Sequence, residues 1–103
     1  MDHDIIYGKC GLHPVFAHHF NLQMELNIRK AINHPRVVAI GEIGLDFRSA
    51  LRPSEESQIY AFVQQLSIAR EKNLPVVIHS QESFMETLEI LCQVGTVSNE
   101  NDI

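Results

Sequence analysis

Cysteine is scarce in this chain of 103 residues. Cys10 and Cys92 are far apart and form no paired spacing. That pattern excludes a disulfide framework and fits a reducing compartment, the cytoplasm or the nucleus. Also missing is any run of Lys or Arg. Eight basic residues stand against 13 acidic ones, a formal net charge of −5 with His neutral. Non-specific electrostatic capture of nucleic acid by this chain alone is therefore excluded. A metal ion, or a further part of the protein, would have to offset the charge. No apolar run approaches the ~20 residues of a transmembrane helix, so no membrane partner is expected. The acidic start, Met1 to Asp4, does not read as a signal peptide. Repeats and low-complexity segments are absent as well. What remains is ordinary globular composition, 45% hydrophobic and 20% charged, enough for one small domain with a modest core.

The apolar runs come in strand-then-helix order. Ile5 to Cys10, Val37 to Ile40 and Val76 to Ile78 are three short runs rich in β-branched residues. They are apolar at successive positions, which suits parallel strands covered on both faces. Ser54 predicts an N-cap, with Glu55 and Glu56 in the first helical turn. Ile59, Phe62, Val63, Leu66 and Ala69 then form a helical stripe, and Arg70 and Lys72 suit its C-terminal end. Phe84, Met85, Leu88, Leu91 and Cys92 repeat the pattern. Between Asn21 and Ile32, Leu22, Met24, Leu26 and Ile28 alternate like a strand. Parallel neighbours need a crossover, however, and this predicts a helix there. The order β-α-β-α-β-α predicts an α/β fold over residues 1–93, followed by a polar, aperiodic tail over 94–103 expected to be disordered.

Each predicted strand leads to a residue able to do chemistry: the first to His13, the second to Glu42, the third to His79. In parallel α/β folds such groups gather at the C-terminal ends of strands. Two imidazoles and a carboxylate suit zinc or another divalent metal. A bridging carboxylate would hold two ions, and the pair would activate water against a phosphate ester. Structural readings of the same residues stand beside these. Glu42 also reads as an ion-paired acid, and the oily strand before it predicts a buried carboxylate in need of a partner. His79 also reads as a hydrogen-bonded core histidine, His13 before Pro14 as a turn residue, and Asp46 as the start of a loop. His18-His19 reads as solvated loop, and the stretch Asp2-His3-Asp4 as a frayed terminus.

Together "CGLHP" at 10–14, "VVAIGEIGLDF" at 37–47, Gln58 with Phe62, and "LPVVIHS" at 74–80 resemble the TatD family of metal-dependent deoxyribonucleases. The resemblance covers residues 5 to about 92. It implies a partial TIM-type (β/α)8 barrel of the metal-dependent hydrolase kind: three parallel strands with outer helices. It implies hydrolysis of DNA phosphodiester bonds by metal-activated water in the complete protein, on a two-metal site of Mg or Zn. Glu42 is then a metal ligand, bridging two ions, and His79 a second ligand. His13 and Asp46 line the site. The departures are specific. No His-x-His occurs, the later His and Asp of the family do not fall within the chain, and Gln81 stands where Arg commonly follows "HS". The expectation is thus three βα units of the barrel, whose open sheet edges need the rest of the barrel or self-association. An inactive remnant or interaction module, and an amidohydrolase-like enzyme acting on small esters, are the alternative readings.

Overall fold

The computed structural model describes residues 8–48 and 50–95. Among these residues three strands form one parallel sheet in the order β1-β2-β3: β1 (Gly8–Cys10), β2 (Val37–Asp46) and β3 (Val76–Gln81). A 3-10 helix (Pro14–His19) and α1 (Leu22–Ala31) lie between β1 and β2. Helix α2 (Glu55–Lys72) links β2 to β3, and α3 (Phe84–Val94) follows β3. The α/β order is the one expected. The alternating stretch after Asn21 is indeed helical, because a parallel neighbour can be reached only by a crossover. Residues 1–7, with the first half of the expected first strand and the acidic terminus, lie outside the described residues. So do residues 96–103 of the expected tail; α3 itself runs through Val94.

The helix ends follow their capping chemistry. Asn21 Oδ1 accepts the Met24 N–H at 2.8 Å, and Ser54 Oγ accepts that of Ser57 at 3.1 Å. Asn73 closes α2 in the left-handed region at φ 56°. Ser83 precedes α3 without capping it. Its hydroxyl instead donates to Leu45 O at 3.2 Å, which ties the start of α3 to β2.

A hydrophobic core lies between the sheet and its helices. Ile28 and Ile32 reach it from the α1 side, Ile40, Ile43 and Leu45 from β2, Phe62, Leu66, Ile68 and Ala69 from α2, and Ile90 from α3. The other face of the sheet corrects the reading of strands covered on both sides. There Lys9, Val38 and Val77 are exposed and line a shallow groove. Helices cover only one face among the described residues.

Two strands also run further than their apolar runs. The second was expected to stop at Ile40 and the third at Ile78, yet β2 continues to Asp46 and β3 to Gln81. The reason is close approach. A side chain at Gly41 would meet the Cβ of Val77 at 2.7 Å, and one at Gly44 would run into the His79 carbonyl. Gly44 also sits at φ +144°, where side chains are strained. Glycine therefore keeps β2 paired to β3 instead of turning it away.

Candidate metal centre

The pairing of β2 with β3 slips by one residue between Gly41 and Ile43. Gly41 opposes Val77 and Ile43 opposes Ile78, which leaves Glu42 as the extra residue of a β-bulge. The slip allows Ile40 and Ile43, three positions apart, both to join the helix-side core. It also sets Glu42 apart from that core. The carboxylate is exposed, not buried as its oily approach predicts, because the face it lies on carries no covering layer among the described residues.

His79 lies inside β3, opposite Gly44, and is partly buried. His13 follows β1 and begins the 3-10 helix, where its Nδ1 accepts the Val15 N–H at 3.1 Å. The two imidazoles meet with ring centroids 4.4 Å apart, tilted by 60°. One ligand atom each from His13, Glu42 and His79 lies within 4.8 Å of the other two. The three residues singled out at the ends of three predicted strands are thus brought together. His13, expected only to line the site, supplies the third atom of the cluster. His18 and His19 are exposed as expected, but they end the 3-10 helix instead of lying in a loop, with their rings 4.0 Å apart and tilted by 41°. Asp2-His3-Asp4 lies outside the described residues.

Asp46, expected to line the site, ends β2 and is 4% exposed. Its Oδ2 accepts from Arg48 Nη2 at 2.6 Å and lies 2.9 Å from His79 Nε2; its Oδ1 accepts from Arg48 Nε at 2.9 Å. The Arg48 guanidinium holds the Asp46 carboxyl well below the usual carboxylate range, with help from His79 and the Arg48 N–H and against the effect of burial. An ionised Asp46 places the His79 proton on Nε2. In a neutral ring, Nδ1 is then the atom with a free lone pair, which is the carboxylate–histidine arrangement that orients metal-binding imidazoles. Burial, and then the neighbouring His79, push the His13 imidazole below its ordinary value. A lowered value keeps His13 neutral, the form that binds metal.

Two buried glutamines hold this arrangement from behind. Gln58 accepts the Asp46 N–H at 2.7 Å and donates to Asp46 O and Pro53 O, each at 3.0 Å. Gln65, two turns further along α2, accepts the Leu12 N–H at 2.7 Å and donates to Leu12 O at 3.3 Å and Ala61 O at 3.1 Å. They are 0% and 1% exposed. One helix thereby grips the backbone beside His13 and at Asp46. Gln65 and Arg48 were not singled out from the sequence. Two glutamines at i and i+7 beside an apolar stripe were the available signal for the pair.

Comparison with known proteins agrees with this geometry. The family described as TatD related DNase matches residues 2–99. A human protein named "3'-5' RNA nuclease TATDN2" is 35% identical over 91 residues, covering 88% of this chain and 12% of that protein. The "3'-5' ssDNA/RNA exonuclease TatD" of Rahnella sp. (strain Y9602) is 41% identical over 80 residues, covering 78% and 30%. A Bacillus subtilis (strain 168) protein named "Uncharacterized metal-dependent hydrolase YabD" is 35% identical over 94 residues, covering 91% and 36%. The crystal structure of YJJV, a TatD homologue from Escherichia coli, superposes with a TM-score of 0.78 at 30% identity, covering 85% of this chain and 34% of that one. The three parallel strands and outer helices are accordingly part of a TIM-type barrel. The chain spans about a third or less of the length of the relatives it matches.

Proposed function

This chain belongs to the TatD-related DNase family, and from that premise we propose that it carries part of the catalytic centre of a metal-dependent nuclease that cleaves phosphodiester bonds in DNA. The observation that carries the reading is the cluster of His13, Glu42 and His79. Its donor set, two imidazole nitrogens and a carboxylate oxygen, suits zinc, and the carboxylate suits magnesium. The spacing supports it too. Two ligands on one zinc at about 2.1 Å can be at most about 4.2 Å apart, so an upper bound of 4.8 Å requires only a small inward movement. Glu42 and His79 would hold the ion and His13 would complete the set. Glu42, lying on the bulge with one oxygen to spare, would bridge to a second ion held by residues outside this segment. Divalent ions bound there would supply a water of lowered pKa and a sink for charge on the phosphate oxygens. The residues of this chain do the rest. Asp46 fixes the proton and the tilt of His79. The solvent-open side of Glu42 leaves room for a phosphate to approach. Gln58 and Gln65 set the positions of Asp46 and of the backbone beside His13.

The test is metal titration followed by calorimetry on this chain and on Glu42→Gln and His79→Ala, with single-stranded DNA cleavage assayed on the full-length protein. Saturable uptake of zinc or manganese, lost in both variants together with cleavage, is the expected result. A chain that takes up no ion, or variants that cleave as well as wild type, would defeat the reading.

A further inference from the structure

Arg48 is engaged by Asp46 through one edge only. Its Nε and Nη2 donate to the two carboxylate oxygens at 2.9 Å and 2.6 Å. A guanidinium has five N–H donors in a planar fork. Side-on engagement through Nε and Nη2 leaves the end-on edge, formed by Nη1 and the outer hydrogen of Nη2, directed away from Asp46. Half of the Arg48 side chain is exposed, at 51%, whereas that of Asp46 is only 6% exposed. The arginine is therefore anchored at its inner edge, and among the described residues its outer edge takes no hydrogen bond, a pre-set fork for a second anion.

The space around Arg48 identifies that anion. Val15, Asp46, Arg48, Leu51, Arg52 and Pro53 line a cleft of about 390 Å³. This lies within the ~300–1,000 Å³ range of small-ligand sites. Its walls are apolar at Val15, Leu51 and Pro53 and cationic at Arg48 and Arg52, so it is suited to a flat ring beside a phosphate. Asp46 joins the cleft to the metal centre, since the same Oδ2 meets both Arg48 and His79. Acidic groups are also near. Glu82 acts electrostatically on Arg48, and Glu55 pairs with Arg52 at 3.0 Å. The cleft is thus no general anion sink. It favours a ligand that brings apolar surface along with its charge.

We infer that Arg48 binds, through its outer edge, a backbone phosphate of a nucleic-acid strand next to the one at the metal centre, and that the adjoining nucleotide occupies the Val15–Leu51–Pro53 cleft. For its ligand class the inference rests on the nuclease reading. Its mechanical content, an arginine shared between a buried carboxylate and a phosphodiester, is independent of metal. Binding replaces solvent on Nη1 and leaves the two bonds to Asp46 in place.

The probe is the dinucleotide thymidylyl-3′,5′-thymidine, titrated into 15N-labelled protein with either a chelator or calcium chloride present. Arginine Nε–H resonances are followed, and Arg48 is assigned by its disappearance in Arg48→Lys. The Arg48 resonance should move saturably, and Arg48→Gln should weaken dinucleotide binding about tenfold or more, the scale of a charged hydrogen bond. Arg48→Lys keeps the charge and loses the fork, and should recover only part of the affinity. Absence of any Arg48 shift in both conditions overturns the proposal, as does unchanged affinity in Arg48→Gln. Equal loss of zinc affinity in Arg48→Gln also overturns it, because Arg48 would then act through Asp46 and His79. An Arg48 shift in a protein that binds no metal would leave this proposal standing and remove the metal reading.

Discussion

Replacing Gln58 with Leu removes three hydrogen bonds while filling nearly the same volume. Gln58 is 0% exposed. Its Oε1 takes the Asp46 N–H at 2.7 Å, and its Nε2 serves Asp46 O and Pro53 O at 3.0 Å. The amide N–H makes one strong bond, so its loss leaves it bare. Each carbonyl has a second lone pair and suffers less, and Pro53 O, only partly buried, is rescued by water. A stripped buried polar group costs about 1–3 kcal/mol. One full loss of about 2 kcal/mol and one partial loss of about 1 kcal/mol, less about 1 kcal/mol returned by the apolar leucine, give a destabilisation of about 2 kcal/mol. Such a change is a large part of the ~5–15 kcal/mol that holds a domain together. Equilibrium urea unfolding should show it as a midpoint lowered by roughly 1–2 M at unchanged slope. Gln58→Glu sharpens the test. The carboxylate still accepts the Asp46 N–H but meets two carbonyls with no proton to donate. Burial and these carbonyls raise its folded-state pKa above the unfolded value of about 4.3. The folded state then binds more protons, so the variant should approach wild type near pH 4 and lose stability as pH rises through the raised value. A Gln58→Leu effect under about 1 kcal/mol, or a Gln58→Glu penalty that does not grow with pH, would refute the clamp.

Gly44→Ala should destabilise by about 3 kcal/mol or more, because its new methyl runs into the His79 carbonyl at φ +144°; thermal unfolding by circular dichroism reads this. Asp46→Asn should be less stable than wild type near neutrality, and the gap should close as acid is added. The Asp46 carboxyl is depressed in the folded state, so its contribution is complete above the unfolded value of about 3.9. It is lost as pH falls below that toward the folded value, a trend that urea melts between neutrality and acid would follow. His13 should titrate below the ordinary imidazole value of about 6.5 when followed by NMR without metal. His79→Ala should raise it, since the charge on His79 lowers it.

Much of the architecture was legible because it rests on periodicity. The α2 stripe, its Ser54 cap and the order of three strands follow from spacing alone. The ends of the strands did not. The second apolar run ends at Ile40, because Gly41 and the charge of Glu42 break it. The strand continues past that point because β3 lies so close that only glycine fits. The meeting of His13, Glu42 and His79 could be anticipated, since parallel strands align their ends. The exposure of Glu42 could not, because it depends on a one-residue slip that the sequence does not mark. Arg48 was equally hidden. Nothing in the sequence singles it out two residues beyond Asp46, and only the side-on geometry shows how it is held.

The grip of α2 on two separate strand ends also bears on motion. Gln58 and Gln65 lie seven residues apart on one helix, about 10 Å along its axis, and each holds a different loop. A shift of that helix along the sheet as a rigid rod would carry the segment next to His13 and the end of β2 in the same direction. Fluctuations of the helix thus become a shared drift of both loops, with little change in the distance between them. A site built this way can vibrate as a unit and still present donor atoms at a steady separation, which a multi-ligand ion needs from a scaffold at physiological temperature.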